Sequence, residues 1–272
     1  MGGNGARSAS SRRIGVGGGG GGFGAAGLAF GLGANTTQQQ QNSAVNGQAS
    51  GNPTPPSTTV DQFQKMSNRE LVNYLSNLKN NVVMPPLDEL PNCDTQRLIY
   101  DLGLNDQPRV VSQAEFAKLK GQTYYRGVYD FVDRNGTILA TADDIVNQTF
   151  YGGATRIGAG VSGDGFYFAK DRGTAESYAR NGQNGRVMQM KLDMSKVKGI
   201  SVNNLQTMFA REPAEVRRAF ENMSTVGNQW STGYLSAYAV HKGYNTIIRD
   251  SVGFAIPITR DVMILSDSTY RR

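Results

Sequence analysis

Apolar positions recur at helical spacing in the first third of the folded sequence and turn to strand-like runs after Thr123. Leu71, Leu75 and Leu78 follow Ser67-Asn68-Arg69-Glu70, a capping box whose Ser and Glu side chains each satisfy an exposed amide, so a helix is expected over 67–80. Pro85, Pro86 and Pro91 then enforce an extended link. A second helix is expected over 94–102, ended by Gly103, and a third from the capping box Ser112-Gln113-Ala114-Glu115. Together they are read as an entry layer.

Thr123-Tyr124-Tyr125-Arg126-Gly127-Val128 is rich in strand formers. A short helix is expected from Thr141 through Val146, then a loop with glycines at 152, 153, 158, 160, 163 and 165, then an aromatic strand over 166–169. Further helices are expected over 174–179, 213–223 and 236–242, and further strands over 186–192, 246–249, 255–258 and 262–265. Helices and strands mix without regular βαβ alternation, which argues for an α+β fold.

Composition separates the start of the chain from the rest. Residues 1–60 hold 16 of the 34 glycines, the run Gln38 to Gln41 and no Asp or Glu. Such a stretch buries too little apolar surface to offset the entropy of ordering, so 1–60 is expected to be a disordered tail. The remainder divides into a helical entry segment over 61–122 and a core domain over 123–272. The tail holds three of the 28 basic residues (Arg7, Arg12 and Arg13), leaving 25 basic against 22 acidic residues, so the folded part is close to neutral. Three arginines with no interleaved aromatics favour a solubilising tail over a nucleic-acid binder. Within it, the mildly apolar Ala25-Ala26-Gly27-Leu28-Ala29-Phe30 is a candidate docking segment.

Counts exclude several chemistries. Cys93 is the single cysteine and His241 the single histidine, so a disulfide within the chain and a Cys/His metal site are excluded. There is no Gly-x-Ser-x-Gly elbow for a serine nucleophile. No continuous apolar run marks a signal peptide or a membrane span. Gly158-Ala159-Gly160-Val161-Ser162-Gly163 matches G-x-G-x-x-G, but a strand is expected after it where a dinucleotide fingerprint needs a helix.

What remains is an arginine in a strand, a glycine loop and two tyrosines. Tyr167, in the strand, and Tyr178, on the helix after it, are placed to face each other across a narrow slot and grip a flat heterocycle by stacking. Arg126 near that slot is suited to phosphates, and the unobstructed backbone of Gly127 to an amide substituent. A planar ring, an amide and a pyrophosphate together describe NAD. Core packing is the competing reading for the two tyrosines, and a surface ion pair for Arg126.

Arg126-Gly127, Asp144-Ile145, Gly163-Asp164-Gly165-Phe166-Tyr167-Phe168-Ala169 and Ala175-Glu176-Ser177-Tyr178 together resemble the core of the ADP-ribosyltransferases of the poly-ADP-ribose polymerase branch. That family reads His-Gly, Gly-x-Gly-Ile-Tyr-Phe-Ala and Ser-x-x-Tyr. The wider chain is also similar to ADP-ribosyltransferase-like proteins encoded by tailed phages of gut bacteria. The resemblance implies a split β-sheet core, NAD as substrate, and transfer of ADP-ribose to a host protein or nucleic acid. It further implies a place in a phage virion or the host cytoplasm, with the tail contacting phage structural proteins and no membrane contact.

By resemblance, Tyr167 and Tyr178 match the two nicotinamide-stacking tyrosines, and Gly127 the glycine that holds the carboxamide. Arg126 stands where the polymerase branch has histidine, as in the arginine-specific branch. Ala175 stands where a carboxamide-binding serine is usual, leaving Thr174 or Ser177 to supply that contact. Phe254 occupies the position of the catalytic glutamate, which makes Asp250, four residues earlier, the candidate acid. Three functions are therefore open: an ADP-ribosyltransferase using Arg126, Tyr167 and Asp250, a catalytically silent structural or cargo module of a phage particle, and a sensor that binds NAD or a nucleotide without turnover.

Overall fold

The computed structural model describes residues 58–81, 94–104, 106–132, 135–151, 162–223 and 232–270. Outside them lie the tail as far as residue 57, Cys93, the link carrying Pro85, Pro86 and Pro91, and Gly152, Gly153, Gly158 and Gly160 of the glycine-rich loop.

The first elements are α1 (Val60–Lys65), α2 (Asn68–Asn81), α3 (Asp94–Asp101), β1 (Arg109–Val111) and α4 (Gln113–Lys118). There follow β2 (Tyr124–Val128), β3 (Phe131–Val132), β4 (Ile138–Ala140), α5 (Ala142–Tyr151), β5 (Phe168–Ala169), α6 (Arg172–Ala179) and β6 (Arg186–Leu192). The last are β7 (Gly199–Ser201), α7 (Val202–Ala210), α8 (Ala214–Glu221), α9 (Tyr234–His241), β8 (Thr246–Arg249), β9 (Phe254–Pro257) and β10 (Met263–Ser266). Eight strands form one mixed sheet in the order β1-β10-β6-β2-β5-β9-β8-β7, and β3 and β4 make a separate hairpin. β1 with β10 and β7 with β8 run parallel, and the other pairs run antiparallel.

Alternation along the strands sends successive side chains to opposite faces. One face is the core of Tyr124, Val128, Phe168, Met188, Met190 and Ala255, covered by Val146 and Phe150 of α5. Ile247 and Ile256 on the other face join Leu71, Leu98, Leu205, Phe220 and Tyr238 from α2, α3, α7, α8 and α9.

The three expected N-terminal helices do not form one layer. α2 and α3 pack in the helical cluster with α8 and α9, whereas α4 lies at the far edge of the sheet, where Phe116 packs with Val111 and Ile264. The same segment supplies edge strand β1, so 61–122 is woven into the sheet.

Of the aromatic strand expected over 166–169 only Phe168–Ala169 is regular strand, with the Phe166 amide donating to the Pro257 carbonyl at 2.8 Å, while α6 begins two residues earlier than expected, capped by Asp171 through the amides of Gly173 and Thr174. β1, β7 and the β3–β4 hairpin were not expected from the sequence, since strands of two or three residues are too short to show alternation. Two helices were also missed. α1 starts from a capping box of Thr59 and Gln62 inside the segment assigned to the tail boundary, and it buries Phe63 completely. α7 follows β7 without a break, capped by the Ser201 hydroxyl on the Asn204 amide.

His241 joins α9 to α1. Its Nδ1 lies 2.9 Å from the Phe63 carbonyl, and its ring packs edge-on against Phe63 at 5.2 Å. Burial, aided by the Lys242 charge, lowers its pKa from 6.5, against the opposing pull of the Phe63 carbonyl and Glu212. The fold therefore favours neutral imidazole. This stabilisation is complete above the unfolded value of 6.5 and is lost as pH falls from there through the lower folded value. Urea midpoints between pH 7.5 and 5.5 are expected to fall more steeply for the wild type than for His241→Gln, and parallel curves would overturn the assignment.

Candidate functional site

The centre of the sheet holds its narrowest join. β2 pairs with β6 along all five residues, Tyr124 to Val128, but with β5 only at Tyr125 and Ala169. Continuing that antiparallel register by two residues sets Tyr167 opposite Gly127, where no ladder pair closes the gap. On this side the backbone edge of β2 beyond Tyr125 has no strand partner among the described residues.

Gly127 is required by the helix above it. A Cβ there would lie 1.9 Å from the carbonyl oxygen of Ala175 and 2.7 Å from the amide nitrogen of Ala179. α6 therefore rests directly on the β2 backbone and places Tyr178, one turn from Ala175, beside this part of the sheet. Tyr178 is half-buried, and its phenol pKa is raised by that burial and by Tyr129.

Tyr167 is held at both ends. Its hydroxyl donates to the Gly163 carbonyl at 2.5 Å and accepts from the Ser162 amide at 3.3 Å, while its ring meets Phe254 edge-on at 6.3 Å. Burial is the main cause that raises its pKa, with Asp164 and Tyr178 adding to it and the Ser162 amide and Arg249 opposing it. The phenol is a neutral donor at any physiological pH.

The Gly163-Asp164-Gly165 turn is a packing device. Gly163 has φ of +113°, and a Cβ on it would meet the Ser236 hydroxyl at 2.4 Å. A Cβ on Gly165 would lie 2.8 Å from the Pro257 carbonyl. The turn is thus clamped between the start of α9 and the end of β9, and Asp164 is fully buried in it.

Strand parity divides the residues that the sequence grouped together. Tyr125 and Gly127 share the α6 face, whereas Tyr124, Arg126 and Val128 point into the α5 face. Arg126 lies opposite Met188 in the register, and its guanidinium sits 5.7 Å from the centroid of the Phe166 ring. Its Nη1 is buried without a hydrogen-bond partner among the described residues, and desolvation lowers its pKa to about 10. The expected phosphate clamp is therefore across the sheet from Tyr167 and Tyr178.

Asp250 is separated from the tyrosines too. It lies in the turn between β8 and β9 with a 72% exposed side chain, its Oδ1 3.7 Å from Lys170 Nζ. Its charge is felt by Tyr124, which faces the α5 side. Phe254, at the position expected for a catalytic acid, instead packs its ring against Tyr167.

One charged residue on the α6 face was missed. Tyr125, Ala169, Phe254 and Arg249 are consecutive partners across β2, β5, β9 and β8, so their side chains share that face. Alternation over 246–249 was the available signal, but it could not be used before the β8–β9 register was known.

Among the described residues, no group of three His, Cys, Asp or Glu could hold a metal ion, and no helix is long and apolar enough to cross a membrane. Comparison with protein-family models, curated proteins and solved structures finds no match to this chain.

Proposed function

We propose that this chain is an ADP-ribosyltransferase-type domain that binds NAD on the α6 face of its sheet, at the gap between β2 and β5. The observation that carries the reading is the single β2–β5 pair at Tyr125 and Ala169, which leaves the edge of β2 at Gly127 without a strand partner among the described residues, beneath α6 and beside Tyr167. In this reading the nicotinamide ring is gripped by Tyr167 and Tyr178, and the free edge of β2 beside Gly127 supplies backbone groups to the carboxamide. Ala175 contributes closeness to β2 and no side-chain hydrogen bond.

NAD brings a glycosidic bond whose cleavage passes through an oxocarbenium-like state, and the usual stabiliser is a nearby carboxylate. Phe254 cannot act as one, and Asp250 faces Tyr124 and Lys170. This arrangement favours recognition over turnover, so the catalytically silent module is retained as a second reading, with transfer to a host macromolecule as the active alternative. A phage origin, and attachment to phage structural proteins through the tail, belong to the same proposal.

Calorimetric titration with NAD tests the binding. Saturable binding is expected in the wild type, weakened about tenfold in Tyr178→Ala through loss of one stacking face. Incubation with labelled NAD and host lysate separates transfer from silence. Absence of NAD binding in a folded wild-type protein would sink the reading.

A further inference from the structure

The cation that would meet the phosphates of such a ligand is not the one suggested by the sequence. Arg126 points into the α5 face, on the opposite side of the sheet from Tyr167. We infer that Arg249 is the anion-recognition residue of the α6 face, selecting ligands that carry a phosphate or pyrophosphate on a flat aromatic group. The inference rests on the proposed site and assigns that site its charge specificity.

Three observations support it. Arg249 lies directly across from Phe254 in the β8–β9 register, and Phe254 packs on Tyr167, so one row of side chains leads from the arginine to the stacking ring. The Arg249 charge acts on the buried Tyr167 phenol. Arg249 is a half-buried residue, and its side chain makes no hydrogen bond or ion pair to any described residue. By contrast Lys170, also near this end of the sheet, is engaged by Asp250.

A planar guanidinium with its donors uncommitted suits bidentate contact with phosphate oxygens, and partial burial strengthens that contact relative to an exposed cation. The row that runs from Arg249 through Phe254 and Ala169 to Tyr125 carries no carboxylate to compete with an anion. A neutral ligand would gain less from this cation than a phosphate, which adds full charge pairing and a bidentate fit. The chemistry selected is therefore a nucleotide-like molecule, with the ring toward Tyr167 and Tyr178 and the phosphates toward β8.

Calorimetry with three probes on the full chain tests this: nicotinamide, ADP-ribose and NAD, each titrated into the wild type, Arg249→Gln, Arg249→Lys and Arg126→Met. Thermal melts serve as the folding check. Arg249→Gln is expected to lose about tenfold or more in affinity for ADP-ribose and NAD while nicotinamide binding is unchanged. Arg249→Lys is expected to recover part of the loss by keeping the charge without the fork. Arg126→Met is expected to bind all three probes as the wild type does.

Equal affinity of Arg249→Gln and wild type for ADP-ribose would overturn the assignment and leave the nicotinamide site standing. Arg249-dependent binding of ADP-ribose without nicotinamide binding would sustain the anion site and remove the stacking slot. A wild type that binds none of the three probes would overturn both.

Discussion

Gly127→Ala is expected to destabilise the domain by more than about 4 kcal/mol, since its Cβ would make the closest overlap at any described glycine. The new Cβ would sit 1.9 Å from the Ala175 carbonyl oxygen, 2.9 Å from its carbonyl carbon and 2.7 Å from the Ala179 amide. All three are backbone atoms of α6, so no rotamer change relieves the overlap, and the helix must lift from β2. Gly199→Ala is the matched control, because its added Cβ would meet nothing closer than 3.6 Å. Urea unfolding followed by circular dichroism measures both. Similar midpoints for Gly127→Ala and wild type would show that α6 does not rest on the strand in solution.

Arg126→Met is expected to act in the opposite direction, raising stability by about 1–4 kcal/mol. The guanidinium is held among apolar side chains, with Phe166 as its ring contact and an orphaned Nη1 among the described residues. A cation–π contact returns only part of what taking a charge from water costs. Desolvation accounts for its lowered pKa, with no acidic neighbour among the described residues to offset it. Methionine has a comparable stem and no charge to desolvate. A fall in urea midpoint of similar size would mean that Arg126 has a stabilising partner in solution, and would return it to consideration as an anion-binding residue.

The local elements were the most legible part of the chain. The capping box at Ser67 recurs in the structure as bonds between Ser67 and Glu70, and Ser112 likewise caps α4 through the Glu115 amide. The helices at α2, α3, α8 and α9 and the strands at β2, β6 and β8 fall within a few residues of their expected bounds. Such elements are set by contacts three or four residues apart, or by alternation along five to seven residues, and both patterns lie within the chain itself. The edge strands β1 and β7 could not be read because their pairing partners, β10 and β8, lie far away in sequence.

The candidate site was legible as a set of residue types and much less so as a geometry. Sequence alone determined the aromatic and glycine content of the Gly163 to Ala169 block, the single histidine and cysteine that exclude several chemistries, and the absence of an acid at Phe254. It also brought Arg126 and Gly127 together, because neighbours in sequence look like neighbours in function. Tertiary structure decided otherwise: strand pleating sends adjacent side chains to opposite faces, so Gly127 lies under α6 while Arg126 enters the α5 core. The same geometry put Arg249 on the face of Tyr167, through a register between β8, β9 and β5 that depends on contacts across the sheet and leaves no mark in the local sequence.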